Sequence, residues 1–70
     1  MNRDLNQTEC DHLEALVDSC SIGSVLIVLT EICIAKGEHV ESNWQDKPLA
    51  RRWNKLGDAI DAVASKADGL

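Results

Sequence analysis

From Leu49 onward the apolar residues recur at spacings of 4, 3, 4, 3 and 4, as Leu49, Trp53, Leu56, Ile60, Val63 and Ala67. That rhythm is the a/d stripe of an α-helix held for nearly three heptads, whereas a strand would alternate at every second residue. The flanks agree with it. Asp46 offers an N-cap carboxylate, and Lys47 and Pro48 open the first turn, where the missing N–H of proline is no loss. Gly69 suits the position just past a helix end. Ala50, Ala59, Ala62 and Ala64 favour helix and permit close packing. The stripe predicts that this helix presents its large residues to the core.

Two further helices are expected upstream. Cys10, Leu13, Leu16, Val17 and Cys20 share one helical face, which predicts an amphipathic helix over about residues 8–19. Asn6 or Thr8 is its candidate cap, and Asn6 has Glu9 three residues on, as a capping box requires. Glu9 and Asp11 suit the positive end of that helix. After a short break at Ser21, a second helix should run from Ile22 to Trp44. Its main face holds Ile22, Val25, Leu26, Leu29, Ile32, Cys33, Val40 and Trp44, with the stem of Lys36 between them. So short a break makes the first two helices antiparallel or sharply angled neighbours. They are expected to pack as a hairpin, with the third closing back on them.

The second helix has a further apolar side. Ile27 and Ile34 project almost opposite its main face, and beside them Gly23, Thr30 and Gly37 recur every seven residues. A glycine inside a helix costs about 0.8–1.0 kcal/mol relative to alanine, so two on one line call for a packing reason. A heptad line of small residues flanked by isoleucines is suited to close helix-to-helix approach. At 70 residues the chain is a single small domain, 1–70, whose lone core is marginal. Both points predict an all-α, three-helix chain that assembles as a dimeric helical bundle, with Gly23, Ile27, Thr30, Ile34 and Gly37 at the interface. The alternative is that Gly37 marks a kink or helix end and the isoleucines are simply exposed.

Composition narrows the functional classes. The first residues carry no apolar leader core, and the run from Ile22 to Ala35 is broken by Thr30 and Glu31 and too short to span a bilayer. A cytoplasmic protein is expected. Three cysteines, Cys10, Cys20 and Cys33, form no paired framework and read as reduced, buried thiols. The formal charge of −5 conceals an asymmetry. Residues 1–46 hold nine acids and two bases, a net −7, against five bases and three acids, a net +2, over residues 47–70. Lys47, Arg51, Arg52 and Lys55 fall together with no acid between them, either as a basic helix lying against acidic ones or as a patch for an acidic partner.

Chemistry finds little purchase. Glu9-Cys10-Asp11-His12 contains one Glu-x-x-His element, where a di-iron bundle needs two and further glutamates. His39 has no carboxylate three residues before it, and three scattered cysteines give no zinc template. A reactive thiol needs an electropositive, partly exposed setting, which neither the acidic first helix nor the apolar second one offers. No enzyme, metal or cofactor is expected. A nucleic-acid role would rest on Lys47, Arg51, Arg52 and Lys55 with Trp44 and Trp53 for stacking, but the net charge opposes phosphate binding and both tryptophans fall on core faces.

The segment Lys36-Gly37-Glu38-His39-Val40-Glu41-Ser42-Asn43-Trp44-Gln45-Asp46, followed by Leu49-Ala50 and Trp53, resembles a KxEHxxxNWQD…LAxxW pattern. It is similar to short uncharacterised bacterial proteins, some of them on mobile elements. The resemblance implies that Asn43–Asp46 is a structural unit, with Trp44 packing a hinge, Asp46 capping a helix, and Asn43 or Gln45 satisfying helix-end carbonyls. It brings no catalytic or binding residue with it. The expected function is therefore protein–protein contact by a small helical homodimer. The second expectation is a nucleic-acid-associated accessory protein, and the third a metal or redox sensor through Cys10, His12 and Cys33.

Overall fold

The computed structural model describes residues 4–70. Met1, Asn2 and Arg3, on which the leader expectation partly rests, lie outside the described residues. The chain forms α1 (Gln7–Ser19), α2 (Ile22–Trp44) and α3 (Lys47–Ala64), then a single 3₁₀ turn at Ser65–Ala67. The fold class is all-α, as the periodicity predicts, with no strand among the described residues.

Each helix starts where its cap chemistry dictates. Asn6 Oδ1 accepts from the Glu9 N–H at 2.8 Å while Glu9 Oε1 accepts from the Asn6 N–H at 2.9 Å, completing the capping box. Ser21 Oγ accepts from the Ser24 N–H at 3.0 Å, and Asp46 Oδ1 from the Leu49 N–H at 3.0 Å. Between α1 and α2 the chain bends by 119°. Ser21 takes φ 150°, a backbone that an L-residue adopts at a cost on the order of 1–3 kcal/mol. Gln45 takes φ 52°, and its N–H closes α2 onto the Glu41 carbonyl at 3.2 Å. With Gln45 left-handed and Asp46 already the next cap, the return to α3 takes two residues.

The principal packing is between α2 and α3. A Cβ built on Gly23 would lie 3.9 Å from Ala67 Cβ, one on Gly57 3.3 Å from Cys33 Cβ, and one on Gly37 3.3 Å from the Ala50 carbonyl. As α2 advances from Gly23 to Gly37, its partners fall back from Ala67 through Gly57 to Ala50, so the pair is antiparallel. The contact is built from small residues on both sides. Thr30, Cys33 and Gly37 are buried on α2, and Ala50, Gly57 and Ala64 on α3. Where side chains are this small the two backbones approach closely. Thr30 keeps its hydroxyl satisfied inside the contact by donating to the Leu26 carbonyl at 3.1 Å.

This packing corrects several expectations. The line Gly23, Thr30 and Gly37 does serve close helix approach, but the helix that approaches is α3 of the same chain. The hairpin is α2–α3 rather than α1–α2, and α1 buries none of its residues. The large stripe of α3 is not the inward seam: Leu56 is 49% exposed and Leu49 and Val63 are exposed too, with Trp53 and Ile60 half-buried. Trp44, expected to pack the hinge, is 72% exposed. Of the thiols only Cys33 is buried; Cys10 is half-buried and Cys20 exposed. The helix of residues 47–64 also stops short of Ala67, giving way to the 3₁₀ turn as Ser65 Oγ donates to the Ala62 carbonyl at 2.8 Å.

Candidate functional site

With small residues in the α2–α3 contact, the large aliphatic side chains lie elsewhere. Among the described residues no large side chain is fully buried. On α2 the consequence is plain. The helix is apolar on three sides, and α3 covers one of them. Helical spacing places Leu29 and Val40 on one flank of the hairpin, the same flank as Leu49, Leu56 and Val63 of α3. Ile27 and Ile34 lie on the other flank, both exposed, with Ile34 Cγ1 3.6 Å from where a Gly57 Cβ would stand.

The third side of α2 faces α1. The bend at Ser21 splays the two helices, leaving an opening of about 390 Å³ lined by Leu13, Leu16 and Cys20 from α1 and by Ser24, Val25, Val28, Leu29 and Ile32 from α2. A second groove, about 400 Å³, runs along α3 between Leu49, Arg52, Trp53 and Leu56. Ten aliphatic residues across the three helices stand between 36% and 52% exposed: Leu13, Leu16, Ile27, Val28, Leu29, Ile32, Ile34, Leu49, Leu56 and Val63. Summed over these separate faces they hold on the order of 800 Å² of surface in water, about what each partner contributes to a standard interface.

Charge is distributed around this surface by helix. Lys47, Arg51, Arg52 and Lys55 are all exposed, and helical spacing gathers them on the outer side of α3, away from α2. Glu9, Asp11, Glu14 and Asp18 are exposed on α1, which carries no lysine or arginine. The structure thus assembles the expected basic patch on one face, and it leaves Trp44 free beside the start of that helix. Around the turn, Asn43 Nδ2 donates to the His39 carbonyl at 3.1 Å and lies 3.0 Å from His39 Nδ1, so the helix-end role expected of Asn43 is present.

The thiols and histidines do not converge. Among the described residues no three His, Cys, Asp or Glu side chains come together, so Cys10, His12 and Cys33 do not form a common site. Cys33 sits in the α2–α3 contact, while His12 is exposed on α1. Among the described residues no single helix is long and apolar enough to cross a membrane. Compared with protein-family models, curated proteins and solved structures, the chain matches none. The signal that would have located the inner face lies in α3 itself, where Ala50, Gly57 and Ala64 recur every seven residues in step with Gly23, Thr30 and Gly37.

Proposed function

We propose that this protein works by protein–protein contact, as a homodimer whose apolar core is completed only on assembly. The observation that carries the reading is the inversion of side-chain size: the buried residues are Gly, Ala, Cys and Thr, while among the described residues every Leu, Ile and Val is half-buried or exposed. Each half-exposed leucine covered on association contributes roughly 1–2 kcal/mol at 25 cal/mol per Å². An aliphatic surface of this extent favours a partner over solvent. The reading is of a binding protein rather than an enzyme.

Light scattering on a size-exclusion column, with reductant and over a wide range of loads, tests the proposal. A mass near twice 7.7 kDa is expected for the parent chain. Leu16→Glu and Leu56→Glu, each placing a charge on a different part of the exposed surface, should shift the mass toward one chain. A single-chain mass at every load, with melting unaffected by either change, would refute it. The basic outer face of α3 beside the exposed Trp44 favours a second reading, a nucleic-acid accessory role. That reading requires retention on a DNA or RNA column that weakens steeply with salt.

A further inference from the structure

We infer that in the dimer α3 of each chain lies in the opening between α1 and α2 of the other, an arrangement that rests on the homodimer reading above. Three exposed apolar faces are available for pairing, and their charges differ. The exposed charges of α1 are all acidic, Glu9, Asp11, Glu14 and Asp18, whereas Arg52 borders the apolar stripe of α3 with Lys55 farther round the same helix. Setting α1 against α1 would bring acid to acid, and like-charge juxtaposition across an interface costs several kcal/mol. An antiparallel α3 pair would set Arg52 and Lys55 toward Asp58 and Asp61 but would leave the α1–α2 opening uncovered. The Ile27 and Ile34 flank of α2 is neutral but offers only two large side chains. Laying α1 of one chain beside α3 of the other joins opposite signs.

The dimensions and symmetry agree. At 1.5 Å per residue α3 is about 27 Å long and α1 about 20 Å, so α3 spans the full length of the α1 arm. A two-fold axis makes the contact twice, each chain giving its α3 and receiving its partner's, which closes the assembly at two copies. The opening on one chain and the exposed stripe on the other are then filled by the same event. It also accounts for α1, a helix that buries no residue within its own chain. The four acids of α1, with no lysine or arginine beside them, and the net +2 of α3 become complementary surfaces of two chains.

A charge-reversal cross tests this pairing. One variant carries Glu14→Lys with Asp18→Lys, the other Arg52→Glu with Lys55→Glu; all four positions are exposed, and far-UV circular dichroism checks that helix content is kept. Each variant alone should dimerise at least tenfold more weakly than the parent. Mixed in equal amounts, they should form a heterodimer, identified by native mass spectrometry from its intermediate mass. The single changes Glu14→Lys and Arg52→Glu repeat the cross if a double variant loses its helices. Unweakened dimers of the two variants, or variants that stay apart when mixed, would overturn the crossed pairing. So would rescue only when all four changes sit in one chain, since that places the charge pairs within a chain. In each of these cases a dimeric parent chain leaves the homodimer reading standing, whereas a monomeric parent chain removes both.

Discussion

Replacing each helical glycine by alanine should give three different answers, because the same methyl meets three different surroundings. Alanine brings up to about 0.8–1.0 kcal/mol of helix propensity wherever it is added inside a helix. At Gly23 the nearest atoms to the new Cβ are 3.9 Å away, an ordinary contact, and the site lies in the first turn of α2. Gly23→Ala should therefore stabilise by about 0.5 kcal/mol, part of that propensity. At Gly37 the methyl comes 2.7 Å from Asn54 Oδ1, the end of an exposed side chain that swings aside, and 3.3 Å from the Ala50 carbonyl. Gain and cost nearly cancel there. At Gly57 the obstacles are Cys33 Cβ at 3.3 Å and the Thr30 carbonyl at 3.5 Å, neither of which moves unless the helices part. Overpacking a tight contact costs typically 1–3 kcal/mol, so Gly57→Ala should lose about 1 kcal/mol net. For a domain of this size 1 kcal/mol moves the melting temperature by roughly 4–8 °C. Thermal unfolding followed by circular dichroism at one fixed protein concentration reads the order, since association makes melting depend on concentration. The expected sequence is Gly23→Ala highest and Gly57→Ala lowest. A Gly57→Ala protein melting at or above Gly23→Ala would refute the close α2–α3 contact.

Gln45 holds φ 52° without being glycine, so Gln45→Gly should raise stability by about 0.5–1 kcal/mol, read as a higher urea midpoint with unchanged slope. Asp46→Ala removes the acceptor for the Leu49 N–H and should cost about 1 kcal/mol, while Asp46→Asn, which keeps an acceptor oxygen, should lose only a fraction of that. Thiol labelling under native conditions should modify Cys20 first and Cys10 more slowly, leaving Cys33, only 5% exposed, unreacted until the chain unfolds. Because Cys20 lines the α1–α2 opening, its labelling should also slow as protein concentration rises; a rate independent of concentration would count against occupation of that opening.

The helix boundaries were legible because their determinants are local. Asn6 with Glu9, Ser21, and Asp46 ahead of Pro48 each place a helix start through a hydrogen bond spanning three residues, and α2 ends at Trp44 where the spacing predicts. What periodicity does not carry is which of two apolar faces turns inward. On α3 the large stripe from Leu49 to Val63 and the small line Ala50, Gly57 and Ala64 lie about 100° apart, and both are apolar. Size weighting favours the leucines, whereas the structure buries the small line, since small residues admit the closer helix approach. The same ambiguity assigns Gly23, Thr30 and Gly37 to a second chain, whereas Trp44 continues the buried line seven residues past Gly37 and is exposed as the last residue of α2. Of the candidate surface, Ile27 and Ile34 and the basic face of α3 were visible in the sequence. The α1–α2 opening was not, because its existence depends on the bend at Ser21.

The two-residue return at Gln45 and Asp46 has a kinetic consequence. Gly37 and Ala50, the crossing pair nearest the turn, can meet after closing only a short loop. Once they do, Cys33 with Gly57 and then Gly23 with Ala67 follow by lengthening an existing contact. Closure entropy grows only slowly along such a series, and proteins dominated by local contacts fold in microseconds to milliseconds. The α2–α3 hairpin should thus be complete long before two chains meet by diffusion. If the chain dimerises as proposed, refolding should resolve into a fast phase insensitive to protein concentration and a slower one that accelerates as the solution is made more concentrated.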